Sequence, residues 1–258
     1  MPAITESIGL LCRSAELEEQ AALLSNKFGI PHCPVTPESG FYFELSENGL
    51  ALCQAGLRAP GPVRVDFVGG TMGHRQRFGG GRGQALARAV GMKPGFSPAI
   101  WDATAGLGRD GFVLASLGSH VTLCERSPLL AALLHDALRR AADDSTIGNW
   151  VRDRLQLINA DSFRCLQSLA ETQRPQVVYM DPMYPAGKDH VQVKKDMRAL
   201  QQLVGPDLDS GELLDIALQT ALRRVVVKRP KRAGWIHNRK PDTAIESKKT
   251  RYDIYLTL

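Results

Sequence analysis

Acids at the ends of short apolar runs, a glycine-rich turn and a proline-bracketed tetrapeptide hold the chemistry available to this sequence. The run 99–101 ends in Asp102, glycines follow at Gly106, Gly108 and Gly111, and an apolar segment, 112–117, comes next. That order predicts a strand, a tight turn and a helix start. Glycine lets a backbone approach a ligand closely and take positive φ. The first N–H groups of the helix have no intrahelical partner. The spacing Gly106-x-Gly108-x-x-Gly111 also fits a dinucleotide fingerprint, with Glu125 where a ribose-binding acid belongs, about 20 residues on. Charge separates the ligands. A pyrophosphate on this turn would face Asp102 and Asp110. S-Adenosylmethionine (SAM) has no phosphate and carries a sulfonium and an α-amino group, both cationic near neutral pH, so carboxylates suit it better than they suit NAD. A ligand-free glycine-rich turn is the competing explanation for this stretch alone.

The second constellation is Asp181-Pro182-Met183-Tyr184-Pro185, directly after the apolar run 177–180. Two prolines fix the backbone and remove donors. The Asp181 side chain and the Pro182 carbonyl then act as acceptors at one spot, and Tyr184 supplies a flat face. A planar base with an exocyclic NH₂ uses all three. Its lone pair is delocalised into the ring, so the amine is a poor nucleophile. Two acceptors pulling on its hydrogens turn that lone pair out of plane, toward a sulfonium methyl, while Tyr184 stacks on the base. The bland alternative is a proline-rich turn with Tyr184 in the core. A glycine loop upstream in the same domain argues against it.

Alternating strands and helices must position these groups. Strands are expected at 120–125, 155–159, 177–180 and 225–228, with helices at 163–170, 191–203 and 213–222 between or after them. Ser127-Pro128 marks a helix start with Pro at its first position, and Leu130, Leu133, Leu134, Ala137, Leu138 and Ala141 keep helical spacing. Repeated βα units imply an α/β fold, a mainly parallel sheet with helices on both faces. The last strand, 251–258, has no helix before it and is expected to pair antiparallel with 243–247. Asp102, Glu125, Asp161 and Asp181 all fall at strand ends, where open α/β sheets bind ligands. Four acids there suit a cationic, hydroxyl-rich ligand with an adenine amine. Upstream, Ser14 caps a helix that Gly29 ends. A hairpin joins 41–45 to 50–54, and 63–68 alternates as a third strand. This gives a small N-terminal α+β domain over 1–80 and the main domain over 81–258. The glycine-dense stretch 69–83, with His74, Arg75, Arg77, Arg82 and Phe78, is either a linker or a loop that orders on RNA phosphates.

Composition narrows the class. A chain of 258 residues makes one large domain or a domain with an appendage. No apolar run approaches the length of a membrane span. The apolar patch 8–12 has no basic region before it, so a signal peptide is not expected. Five scattered cysteines without a Cys-x-x-Cys pair indicate neither zinc nor a disulfide framework, which points to a reducing cytoplasm. The net charge of +5 permits a polyanionic partner. Basic residues crowd late in the chain, from Arg223 through Lys231, Arg232, Arg239, Lys240, Lys248 and Lys249 to Arg251, against Asp242 and Glu246. A solvated surface is the usual meaning of such a cluster. Here it follows a strand whose end should rim the site, and an RNA phosphate track is expected.

Asp181-Pro-Met-Tyr looks like the Asp/Asn-Pro-Pro-Tyr/Phe motif of amino-group methyltransferases, and Asp102-Ala-Thr-Ala-Gly-Leu-Gly resembles their first, cofactor-binding motif. With Glu125-Arg126 and Asp161-Ser162 between them, nearly the whole chain resembles the RsmJ family of bacterial 16S ribosomal RNA guanine-N2 methyltransferases. Met183 departs from the wider Pro-Pro pattern. The resemblance implies a Rossmann-like seven-stranded class I methyltransferase sheet behind the small N-terminal domain. It implies S-adenosyl-L-methionine as cofactor, contacted by Arg109, Asp110, Glu125, Arg126, Asp161, Ser162 and Asp181. It also implies 16S ribosomal RNA or the small ribosomal subunit as partner, with no membrane and no metal. Chemistry assigns the roles: Glu125 to the ribose hydroxyls, Asp102 with Asp110 to the methionine amine, and Asp161 to the adenine amine, while Arg109 either pairs with the methionine carboxylate or is a solvent-exposed arginine. Gly106 and Gly108 allow the close approach. Asp181, Pro182 and Tyr184 form the expected catalytic set, with Asp181 either a base or an orienting acceptor. A DNA or protein amino-group methyltransferase is the alternative enzyme. A non-catalytic RNA-binding protein is the alternative class, and the intact Asp181-Pro-Met-Tyr argues against it.

Overall fold

Neighbouring residues on a strand face opposite ways, and in the middle of this protein both ways are apolar. Ile100, Val177, Tyr179 and Val226 enter one buried cluster, while Trp101, Val178, Met180, Val225 and Val227 enter another. Such strands need cover on both faces, as in parallel α/β sheets. The computed structural model describes residues 8–57, 59–69, 81–183, 203–205 and 207–257. Its first sheet has strands β1 (Leu10–Cys12), β2 (Phe41–Ser46), β3 (Gly49–Gln54) and β4 (Val63–Arg64), in that spatial order. The second sheet has β5 (Ile100–Asp102), β6 (Val121–Cys124), β7 (Leu155–Ile158), β8 (Val177–Met180), β9 (Arg224–Pro230), β10 (Thr243–Glu246) and β11 (Thr250–Leu256). The seven lie in the order β10-β11-β9-β8-β5-β6-β7. The five from β7 to β9 are parallel, and β11 is antiparallel to both β9 and β10. This is the expected seven-stranded α/β sheet, including the terminal hairpin.

The α-helices among the described residues are α1 (Glu18–Phe28), α2 (Ala85–Ala89), α3 (Arg109–Ser116), α4 (Pro128–Ala142), α5 (Gly148–Arg154), α6 (Ser162–Ser168) and α7 (Ser210–Thr220). One face of the large sheet packs on Phe112 and Val113 of α3 and on Leu130, Leu133 and Leu134 of α4. The other face packs on Leu166 of α6 and on Leu213, Leu214 and Ala217 of α7. Strand order reverses at β5: β6 and β7 run out on one side, β8 and β9 on the other. A crevice therefore opens outside the carboxyl ends of β5 and β8.

Local departures from expectation have physical causes. The patch 8–12 forms β1, paired in parallel with β2. The expected third strand shortens to Val63–Arg64, since Phe67 leaves the sheet to stack on Phe112 at 4.3 Å between ring centroids. Helix α5 has Gly148 and Val151 as its buried residues, too weak a stripe to read in advance. Strand β9 runs on to Pro230 because β11 pairs with it over its whole length. Most of the expected helix 191–203 lies outside the described residues, as do Tyr184, Pro185 and residues 70–80 of the glycine-dense stretch.

Asp136 of α4 fastens the small sheet to the large one. It is 1% exposed and accepts from Leu50 N at 2.9 Å, Gln20 Nε2 at 3.1 Å and Arg140 Nε at 2.9 Å. Gly49, at φ +91°, lies so close that a Cβ there would collide with the Asp136 and Arg140 side chains. Removing the carboxylate strands a buried N–H and a half-buried guanidinium. Asp136→Ala should therefore cost about 2–4 kcal/mol of stability. Urea unfolding measures this, and an unchanged midpoint would mean that water satisfies those donors equally well.

Candidate active site

The crevice is built by the loop that leaves β5. Gly106 at φ +55° and Gly108 at φ +69° take left-handed conformations, and Gly108 caps α3. A Cβ on Gly108 would stand 2.6 Å from Leu134 Cδ1, and one on Gly111 would collide with Leu123 Cδ2. The glycines thus serve backbone conformation and the seating of α3 on the sheet. Glu125 follows β6 and is 6% exposed. Its Oε2 accepts from Gly106 N and its Oε1 from Ser127 N, each at 2.7 Å. Burial pushes its carboxyl up, and those two N–H groups pull it back. Each carboxylate oxygen keeps a second lone pair. The two backbone bonds therefore orient Glu125 without exhausting it, which fits a pair of ribose hydroxyls.

Asp102 ends β5, is 2% exposed, and accepts from Thr104 N at 3.3 Å. Burial first, then the charge of Asp110, push its carboxyl well above the usual range. A buried acid in that state gains from a neighbouring cation, so the donor set fits the sulfonium and amine of SAM. Asp161 caps α6, accepting from Arg164 N at 3.0 Å. The Ser162 hydroxyl donates to Ala103 O at 2.8 Å and ties α6 to the loop after β5. Arg109 stands exposed in the first turn of α3. Arg126 pairs with Asp207 and with Asp209, the latter at 2.7 Å.

Asp181 lies beside the same loop. Asp102 is level with Tyr179 across β5 and β8, so Asp181 stands just past the strand end. Its N–H donates to Thr104 Oγ1 at 2.6 Å. Its Oδ2 accepts from Lys228 Nζ at 2.8 Å, and Lys228 also donates to Asp110 Oδ2 at 2.7 Å. The Tyr179 hydroxyl donates to that same Asp110 oxygen at 2.7 Å. Burial pushes the Asp181 carboxyl above the usual carboxylate range, and the Lys228 ion pair pulls it back, on a side chain that is 42% exposed. Met183 N donates to Asp207 Oδ2 at 2.6 Å, so Arg126 and Asp207 together hold the backbone just after Pro182. A cavity of about 370 Å³ opens there, lined by Pro182, Met183, Asp207, Leu208, Trp235 and His237 among others.

The structure thus brings Asp102, Gly106, Gly108, Asp110, Glu125, Asp181 and Pro182 to one crevice. It gives Arg126 to Asp207 and Asp209, and makes Asp161 and Ser162 the anchors of α6. Tyr184 lies outside the described residues. Thr104, Tyr179, Asp207 and Lys228 were not among the expected site residues. The rule that selected the acids also selects Lys228, which comes at the carboxyl end of an expected strand. Asp207 carried no such signal. Among the described residues no group of three or more His, Cys, Asp or Glu is placed to hold a metal ion, and no helix is long and apolar enough to cross a membrane.

Known proteins share this architecture and sequence. The family described as "Putative SAM-dependent methyltransferase" matches residues 23–257. Three proteins named ribosomal RNA small subunit methyltransferase J are similar. That of Aeromonas salmonicida is 57% identical over 196 residues, covering 76% of this chain and 78% of its own. That of Vibrio parahaemolyticus is 46% identical, covering 96% of each. That of Pseudomonas aeruginosa is 48% identical, covering 94% of this chain and 92% of its own. The crystal structure of a SAM-dependent methyltransferase from Neisseria gonorrhoeae superimposes with a TM-score of 0.77 at 35% identity, covering 96% of this chain and 95% of that one.

Proposed function

The chain belongs to the family of SAM-dependent methyltransferases that includes the ribosomal RNA small subunit methyltransferases J, and from that premise we propose that it methylates the exocyclic N2 amine of a guanine in 16S ribosomal RNA. The observation that carries this reading is the bond from Asp181 N to Thr104 Oγ1, which fixes the acceptor motif against the cofactor loop. Bound SAM supplies an electrophilic methyl on a sulfonium. Glu125 binds the ribose hydroxyls, Asp102 faces the methionine amine, and Gly106 and Gly108 leave room for both. Arg109, exposed at the start of α3, pairs with the methionine carboxylate in this reading. Asp161 retains acceptor capacity for the adenine amine beyond its bond to Arg164 N. Arg126 acts at one remove, by holding Asp207 and hence Met183. The Asp181 carboxylate and the Pro182 carbonyl accept the hydrogens of the substrate amine, and Tyr184 stacks on the base.

A guanine in a duplex must leave its stack to reach these acceptors. The cavity beside Pro182 and Met183 gives it space, with Trp235, 40% exposed, at its edge. We assign residues 1–80 to a supporting N-terminal domain and 81–258 to the catalytic one, in keeping with the two sheets. A ribosomal substrate implies a cytoplasmic enzyme. The direct test is mass spectrometry of ribosomal RNA from a deletion strain, with methyl transfer by the purified protein to 16S RNA and to small subunits. Loss of a guanine N2 methyl that the protein restores supports the reading. Unchanged ribosomal RNA, with transfer to DNA or protein instead, overturns it.

The late basic residues supply a second check. Lys231 pairs with Glu246 at 2.7 Å, with both side chains about half exposed. Such a surface pair is weak and yields readily to a phosphate. Neutralising Lys231, Arg232, Lys248 and Lys249 should weaken RNA binding and flatten its salt dependence, by a slope of roughly 0.7–0.9 for each phosphate no longer neutralised. SAM affinity should stay constant. An unchanged salt slope would make this a solvated face.

A further inference from the structure

Three carboxylates, Asp102, Asp110 and Asp181, crowd the carboxyl ends of β5 and β8, and Lys228 reaches between two of them. Its Nζ lies 2.7 Å from Asp110 Oδ2 and 2.8 Å from Asp181 Oδ2. Strand register places it there: Val227 is level with Met180, so Lys228 stands beside Asp181, and Tyr252 of β11 backs it from the other side. The lysine side chain is only 27% exposed, so water screens this contact less than it would on an open surface. Burial works against the ammonium, but Asp181 and then Asp110 carry its pKa above the usual lysine range.

We propose that Lys228 is a positioning residue for methyl transfer: it grips Asp110 Oδ2 and Asp181 Oδ2 together and so presents the other oxygen of an ionised Asp181 to the substrate amine. This rests on the reading of Asp181 as the amine's acceptor. An ionised carboxylate only accepts, whereas a protonated one donates and loses accepting capacity. The charged groups that act on Asp181 among the described residues are Lys228 from β9, Asp110 from α3, Asp102 from β5 and Asp207 from the segment before α7. Tyr179, on β8 itself, bonds Asp110. Lys228 brings a positive charge into direct contact with two of these carboxylates. Without it, like charges drive a proton onto the cluster. The same grip weakens Asp181 as a base, which suits an acceptor whose partner amine becomes positive as the new N–C bond forms and then loses its proton to water.

Lys228→Met keeps the aliphatic stem without the charge, and Lys228→Arg restores a charge. Aspartate carboxyls labelled with carbon-13 can be titrated by NMR without cofactor, using Asp181→Asn to assign the resonance. The Asp181 midpoint should rise by about one to three pH units in Lys228→Met and return toward the parent in Lys228→Arg. In single-turnover transfer with saturating SAM, the deficit of Lys228→Met should shrink as pH rises, and it should nearly vanish in an Asp181→Asn background. A lysine that only supports the fold would slow the reaction equally at all pH. An unmoved Asp181 midpoint, or a deficit of equal size at about pH 6 and about pH 9, overturns the proposal. Should Lys228→Met not fold, Lys228→Gln, which keeps a donor without charge, replaces it in both measurements. If the parent protein transfers no methyl to RNA, the functional reading falls while the titration still decides the role of Lys228.

Discussion

Replacing Asp181 by alanine should slow single-turnover methyl transfer at least ~10–150-fold, because a hydrogen bond to a group that becomes charged is worth about 1.5–3 kcal/mol. Lost orientation of the amine enlarges the fall. Asp181→Asn keeps an oxygen in place, and related amino-methyltransferase motifs use Asn here, where it cannot be a useful base. The structure adds a limit. Asp181 Oδ2 already accepts from Lys228 at 2.8 Å. An asparagine has one oxygen to share between the lysine and the substrate, and its NH₂ would face a donor. The Asn variant should therefore fall between the parent and the Ala variant. Saturating cofactor removes binding defects from the comparison. If Asn is as inactive as Ala, and the parent rate rises with pH along a single carboxylate titration, Asp181 is a base and the acceptor mechanism is wrong.

The sheet was legible because its signals are local and strong. Runs such as Val225-Val226-Val227 cannot be much other than buried strand. Ser127-Pro128 starts α4 as a cap with Pro at the first position, the Ser127 hydroxyl accepting from Leu130 N at 3.5 Å. The acids at strand ends were legible through topology, which brings every parallel strand's carboxyl end to one edge. What the acids do there was less legible, because each has a choice of partners that only tertiary structure settles. Arg126 sits next to Glu125 in sequence, yet its guanidinium belongs to Asp207 and Asp209, more than 80 residues away. Asp161 lies at a strand end, as required for a ligand contact, and at a helix start, as required for a cap. The sequence satisfies both at once, and the bond to Arg164 N shows the cap. In sequence Lys228 groups with the basic cluster, although it also ends an expected strand. The register of β8 against β9 lifts it out of that cluster and sets it between two carboxylates.

Asp102 should show the opposite signs in binding and in stability. Its carboxyl is 2% exposed and is pushed well above the usual range by burial and then by Asp110. An acid whose folded pKa exceeds its unfolded value contributes stability that is fully present below the unfolded pKa. That stability is lost as pH rises through the folded pKa. The cofactor-free protein should therefore lose stability across that window. Asp102→Asn, which keeps an acceptor for Thr104 N, should not show this loss and should be the more stable form on the alkaline side. Binding reverses the order. The cationic end of SAM favours the ionised carboxylate, so the parent must expel a proton to bind wherever the carboxyl is protonated, and its affinity should climb with pH until the folded pKa is passed. Asn has no charge to offer. Its affinity should be ~10–150-fold weaker, the equivalent of about 1.5–3 kcal/mol for a lost charged hydrogen bond. Calorimetric titrations with SAM in two buffers of different ionisation enthalpy read the proton directly. Below the folded pKa of Asp102 the parent should release a proton that Asp102→Asn does not. Equal proton release from the two proteins, or equal affinity, would remove Asp102 from the amine and leave it as a buried acid serving only the turn at Thr104.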